Sequence, residues 1–248
     1  MIYSNNSKHV IEEVLNKLYI KLQNKDLRNN TVELLNTHLT FDANEWYLDY
    51  GEVRPTNREY VQQELQWYLS KDYCIKGHKG IENNKIWQSC ATENGYVNSN
   101  YGALVFGRTI ENGNKSQIEY CLDLLKKDKC TRQAVMIYAR PSLHWENNDG
   151  IHANHDFTCT INTQVFITND NKLEYIVNMR SNDAIFGLQN DYCWHKHVYE
   201  TLFKELTETY PNLKRSKIYW NAGSMHLYER HFELLKNICD EYKENNIG

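Results

Sequence analysis

One thiol in this chain stands in company that could use it. Cys159 lies in DFTCTINTQ (156–164), ahead of a stretch where Val165, Ile167, Leu173, Tyr175, Val177 and Met179 alternate with their neighbours, as strand residues do. A turn at Asn169-Asp170-Asn171-Lys172 divides that stretch into a hairpin. With the turn centred between Asp170 and Asn171, Cys159 falls opposite Asn182 and Ile161 opposite Arg180. A thiol and a guanidinium at one end of a hairpin suit a stabilised thiolate and a held anionic substrate. The cluster Arg180-Ser181-Asn182-Asp183 closes the second strand, and a carboxylate, Asp191, opens the next helix. A lone Cys in a strand is more often inert packing. Cys74, Cys90, Cys121, Cys130, Cys193 and Cys239 lack such polar surroundings and read as structural.

A second carboxylate stands out by its position. A capping box from Thr56 to Glu59 opens a helix that runs to about residue 70, with Val61, Leu65 and Tyr68 as its apolar stripe. Glu64 falls inside that stripe. Desolvating a carboxylate is costly unless it is paired or used. On an arbitrary helix a satisfied ion pair is the plainer account.

Other elements must position these groups. Ile11, Val14, Leu15, Leu18 and Leu22 mark a helix over 8–24. A helix from about residue 190 carries Trp194, Val198, Leu202 and Leu206 and stops ahead of Pro211, with Asp191 in its first turn as cap and dipole partner. A last helix covers about 229–242, and 134–138 and 218–220 are further strand candidates. Strands interleaved with long helices give an α+β fold. With three prolines and no Gly/Ser linker, 1–248 reads as a single domain.

Composition narrows the function class. At 248 residues the chain can bury a substantial core, and 41% hydrophobic with 24% charged residues is ordinary for a globular protein. A net charge of −4 argues against a general nucleic-acid binder, so phosphate recognition should be local. No apolar run reaches membrane-spanning length and the N-terminus is no signal peptide, which implies a cytoplasmic protein without membrane contact. Seven cysteines without CxxC spacing suggest reduced thiols. His144, His152 and His155 lack the spacing of a zinc site, and no metal is expected.

QELQWYLSKD (63–72), KIWQSCA (85–91), VNSNYG (97–102), TRQAVMIYARPS (131–142), DFTCTINTQ (156–164), NMRSND (178–183), FGLQNDYCW (186–194) and GSMHLYERH (223–231) occur in an order that resembles the thymidylate synthase superfamily, above all its phage-type deoxycytidylate hydroxymethylase branch. The resemblance implies a twisted mixed β-sheet covered by helices, and a homodimer packed sheet against sheet. It makes Cys159 the thiolate that adds to C6 of a pyrimidine, so that C5 can attack a one-carbon unit from 5,10-methylenetetrahydrofolate. Glu64 matches the catalytic glutamate. Arg180 and Ser181 match a phosphate-binding pair, with Asn182 and Asp183 of the same segment at the substrate and Asp183 also at the folate. Arg132 matches an arginine that reaches the neighbouring subunit's site, although the second arginine often found after it is Gln133 here. An N-terminal phosphate arginine has no clear counterpart; Arg28 is nearest. His226 and Tyr228 match the pair that binds the sugar 3′-hydroxyl, Trp87 and Tyr101 match the folate and ring pocket, and Gln164 matches a glutamine with a structural or hydrogen-bonding role.

Relatives acting on deoxyuridylate have asparagine where this chain has Asp191. An aspartate accepts from the amino group of cytosine and shares a proton with N3. That makes dCMP the expected substrate. Synthases have a second tryptophan where Cys90 stands, and they continue well past the HLYERH motif, whereas this chain stops at Gly248. A less sealed site favours water over hydride, so the expected product is 5-hydroxymethyl-dCMP with tetrahydrofolate. The rival readings are a CMP hydroxymethylase, a methylating synthase, and a non-catalytic nucleotide-binding protein.

Overall fold

A computed structural model describes residues 2–3, 6–108, 113–146 and 156–245. His152, His155 and Gly248 lie outside them. The chain divides into two compact units, residues 1–56 with 167–248, and residues 57–166.

The first unit holds strands β1 (Ile2–Tyr3), β2 (Thr31–Asp42), β5 (Lys172–Asp183) and β6 (Lys214–Tyr228) with helices α1 (Ser7–Gln23), α7 (Gly187–Thr207) and α8 (Phe232–Asn245). β6 runs antiparallel to β2 and parallel to β5, and β1 lies parallel to β2, so this sheet is mixed. Alternation decides its faces. Leu173, Tyr175, Val177 and Met179 of β5, with Ile218, Trp220 and Ala222 of β6, are buried. Glu174, Ile176 and Asn178 between them are only half-buried. Helix α1 packs on β2 and α7 on β5, burying Val10, Ile11, Val14 and Val198, Leu202, Leu206. The expected turn forms at 168–171: Thr168 N–H donates to Lys172 O at 2.9 Å, and Asn171 takes a left-handed φ of 58°.

The second unit holds α2 (Arg58–Ser70), α3 (Lys85–Cys90), α4 (Tyr101–Phe106), α5 (Gln117–Lys127), β3 (Val135–Ile137), α6 (Leu143–Glu146) and most of β4 (Thr160–Ile167). β3 pairs antiparallel with β4. Its core is aromatic: Trp67 stacks on Tyr68 (5.1 Å) and Tyr68 on Tyr101 (5.3 Å). Gly102 permits this, since a Cβ there would lie 1.7 Å from the Tyr68 carbonyl oxygen, and only a bare Cα lets α4 approach α2 so closely.

The α+β class agrees with the alternation read from sequence. Several boundaries differ for local reasons. Asn57, not Thr56, caps α2, its Oδ1 accepting from Tyr60 N–H at 3.1 Å. Helix α7 begins at Gly187, so Asp191 lies in its second turn and is no cap. Asp183 does that work: its Oδ1 accepts from the backbone N–H groups of Ile185 (3.0 Å), Phe186 (2.7 Å) and Gly187 (3.4 Å). Helix α8 starts at Phe232, after a 3-10 turn over Glu229–His231. Cys130 is exposed rather than packed, while Cys121, Cys193 and Cys239 are buried. No described helix is long and apolar enough to cross a membrane.

Candidate active site

In the first unit the ends of β5 and β6 and the start of α7 gather most of the expected substrate contacts. The parallel register sets Ser181 beside Ser224, Asn182 beside Met225 and Asp183 beside His226. Arg180 is exposed, and its Nη1 donates to Ser181 Oγ at 2.9 Å, which holds guanidinium and hydroxyl side by side. Asp191 is half-buried; its Oδ2 accepts from Asn182 Nδ2 at 2.7 Å. His226 and Tyr228 meet edge to face at 5.0 Å. Burial holds the His226 imidazole below its ordinary value against the pull of Asp183 and Glu33. At neutral pH it is therefore uncharged, with one nitrogen to donate and one to accept. Arg28, named from the sequence as the nearest counterpart of an N-terminal phosphate arginine, stands at the foot of β2 with its guanidinium on Glu33. That contact, together with Ser224 Oγ at 2.7 Å, holds the Glu33 carboxyl below the usual range.

In the second unit Glu64 is only 6% exposed, and both of the side chains that donate to it are neutral. Tyr60, one turn earlier, donates its hydroxyl to Glu64 Oε1 at 2.8 Å, and Trp87 Nε1 lies 3.2 Å from the same oxygen. Asn84 orients this trio. Its Oδ1 accepts from the N–H groups of Ile86 and Trp87, which leaves Nδ2 to donate to the Tyr60 oxygen at 3.0 Å. Burial outweighs the two hydrogen bonds and raises the Glu64 carboxyl to about 7. A carboxyl that exchanges a proton near neutrality is what general acid–base chemistry needs.

Cys159 is half-buried just ahead of β4. Its setting is built from both sides: the Tyr101 hydroxyl oxygen accepts from Thr160 N–H at 3.2 Å, and the Asp156 carboxylate binds Ser99 through its backbone N–H (2.6 Å) and hydroxyl (2.7 Å). An aromatic chain runs from Trp87 through Trp67 (4.8 Å), Tyr68 and Tyr101 to that backbone. Tyr101 is 3% exposed, so its clearest contact is with the strand that follows the thiol. Arg132 is exposed ahead of β3, and its carbonyl accepts from Gln164 Nε2 at 2.8 Å, which gives that glutamine a structural task.

Sequence reasoning missed Tyr60, Asn84 and Trp220, the last of which donates from Nε1 to Asn182 Oδ1 at 3.1 Å. Tyr60 had a signal, its spacing of four from Glu64 on one helix face. Trp220 had none, because the register of β5 against β6 creates that contact. Among the described residues no group of three or more His, Cys, Asp or Glu side chains could hold a metal ion.

The chain belongs to the thymidylate synthase family, whose profile matches residues 2–246. Over 91% of its length it is 38% identical to the deoxycytidylate 5-hydroxymethyltransferases of Enterobacteria phages T6 and T4, covering 89% of each. A thymidylate synthase of Fusobacterium nucleatum is 25% identical over 61% of this chain and 50% of its own. The fold is shared with thermostable thymidylate synthase A of Bacillus subtilis, with a TM-score of 0.66 at 19% identity over 93% of this chain and 84% of that one.

Proposed function

We propose that the protein converts dCMP, 5,10-methylenetetrahydrofolate and water to 5-hydroxymethyl-dCMP and tetrahydrofolate. The observation that carries this reading is the carboxylate at position 191 with Oδ2 held as a hydrogen-bond acceptor by Asn182. An acceptor suits the amino group of cytosine and repels the O4 of uracil. The identity with phage enzymes of that name supports the same choice.

Cys159 adds through its sulfur to C6 of the ring, which makes C5 nucleophilic. The folate supplies a carbon at the oxidation level of formaldehyde. Glu64, at about 7, takes and returns protons as C5 loses its hydrogen, and it orients the water that adds to the exocyclic methylene. Expulsion of the Cys159 thiolate then releases product. Arg180 and Ser181 hold the phosphate; His226 and Tyr228 hold the sugar hydroxyl. Trp87, with its half-exposed indole, Tyr101 and Asp183 are the folate-side residues.

The working form is a homodimer in which Arg132 serves the neighbouring site. The half-exposed sheet face, with Ile176 and Tyr219 beside the hydrogen-bonded ladder His38–Asn221–Asn178, supports sheet-to-sheet packing. The enzyme works in the cytoplasm, that of the host if its source is a virus.

Purified protein incubated with methylenetetrahydrofolate and either dCMP, CMP or dUMP tests the reading. Release of the C5 hydrogen from dCMP with tetrahydrofolate as product is expected. Dihydrofolate, visible by its absorbance, would replace water addition with hydride transfer, and faster turnover of CMP would replace the deoxyribonucleotide.

A further inference from the structure

The amide of Asn182 has its orientation imposed. The residue is 2% exposed, and its Oδ1 receives the indole N–H of Trp220, a group that can only donate. The carbonyl must therefore face Trp220, and the NH2 must face Asp191, whose Oδ2 lies 2.7 Å away. That oxygen accepts, so it carries no proton in this direction. Trp220 is itself clamped. It is fully buried, edge-on to Phe41 (6.4 Å) and His195 (5.3 Å), and His195 in turn meets the Tyr175 hydroxyl at 3.3 Å. Room for the Asn182–Asp191 contact comes from Gly187. A Cβ there would lie 3.2 Å from Asp183 Cβ and 3.3 Å from Asn182 Nδ2, so the amide would have to give by a few tenths of an ångström.

We infer that Asn182, oriented by Trp220, is a positioning residue that locks the Asp191 carboxylate as an acceptor and so sets the preference for cytosine over uracil nucleotides. This rests on Asp191 reading the base. An unrestrained aspartate rotates freely about its terminal torsion. Protonated on Oδ2, it becomes a donor and an acceptor side by side, the same pattern as asparagine, and that pattern fits the O4 and N3–H edge of uracil. A donor fixed on Oδ2 opposes a proton on that oxygen and fixes which of the two oxygens accepts.

The test compares kcat/KM for dCMP and dUMP, read as tritium release from C5, in the full-length wild type, Asn182→Leu, Trp220→Phe and Asp191→Asn, with circular dichroism to verify folding. Losing one hydrogen bond to a charged group is expected to lower the dCMP-to-dUMP ratio of Asn182→Leu by about tenfold or more. Trp220→Phe, which frees the amide to turn over, should move the ratio the same way by less. If Asn182→Leu loses activity on both nucleotides in proportion, leaving the ratio as in the wild type, Asn182 is merely structural and the inference is overturned. Should Asn182→Leu fail to fold, an unchanged ratio in Trp220→Phe overturns it instead. A ratio that collapses in Asp191→Asn but holds in Asn182→Leu removes the role of Asn182 alone. A ratio unchanged in Asp191→Asn removes the base reading itself.

Discussion

Asp191 and Glu64 are carboxylates of similar chemistry placed in unlike surroundings. Asp191 is half-buried, and a neutral amide takes one of its oxygens. Glu64 is buried, and a phenol and an indole share one of its oxygens. Each is served by an asparagine whose flip is dictated by other donors: Asn182 by Trp220, and Asn84 by the start of α3. The difference lies in water. Full burial taxes the charged form of Glu64 until the proton is held nearly as well as released, a cost that the half-buried Asp191 meets only in part. On the proposed function, degree of burial divides the labour between reading a base and moving a proton.

The contrast breaks most severely at Glu64. Glu64→Gln keeps an acceptor for Tyr60 and Trp87 but cannot exchange a proton. Product formation at pH 7 is expected to fall by about 10²–10⁴-fold while calorimetric binding of dCMP persists. Stability supplies an independent sign. The Glu64 carboxyl titrates at 4.5 in the unfolded chain and at about 7 when folded, so the folded state keeps a proton that the unfolded state has lost between those values. Wild-type stability should therefore decline as pH rises through that window, by on the order of 3 kcal/mol relative to Glu64→Gln. Chemical denaturation at pH 4.5 and pH 8 checks it, and parallel behaviour of the two proteins would remove the buried-charge account.

Asp191→Asn carries the next largest effect. Exchanging the acceptor for a donor-acceptor pair should move the preference from dCMP toward dUMP by about 10²-fold or more, measured as the ratio of kcat/KM values. Tyr60→Phe sharpens the comparison more gently. It removes one of the two donors that favour the ionised form, so the Glu64 carboxyl should rise further. The pH profile of kcat should shift alkaline, with about a few-fold to tenfold loss at pH 7. A profile identical to the wild type would mean that the phenol does not tune the carboxyl.

Glu64 was legible in sequence because a carboxylate inside an apolar helical stripe violates a periodic pattern that can be counted. Cys159 and the Arg180–Asp183 cluster were legible because an alternating hairpin pattern brackets them. Asp191 was expected in the first turn of its helix as a cap, and the structure places it in the second turn. Its helix starts four residues earlier, since Asp183 gathers three backbone N–H groups that no periodicity announces. β2 passed unnoticed, because THLTF and its neighbours mix polar residues into a strand whose partner, β6, lies far along the chain. Tyr60 and Asn84 are polar residues of ordinary appearance until folding sets them beside one carboxyl oxygen.

The sequence alone determined the α+β class and where one thiol, two carboxylates and an arginine–serine pair fall along the chain, since residue type and short-range spacing are local properties. Tertiary structure alone decided how each carboxylate behaves: which oxygen of Asp191 is saturated, and how strongly Glu64 holds its proton. Those properties depend on donors delivered by distant strands and helices and on the water that packing excludes, and no local pattern encodes either.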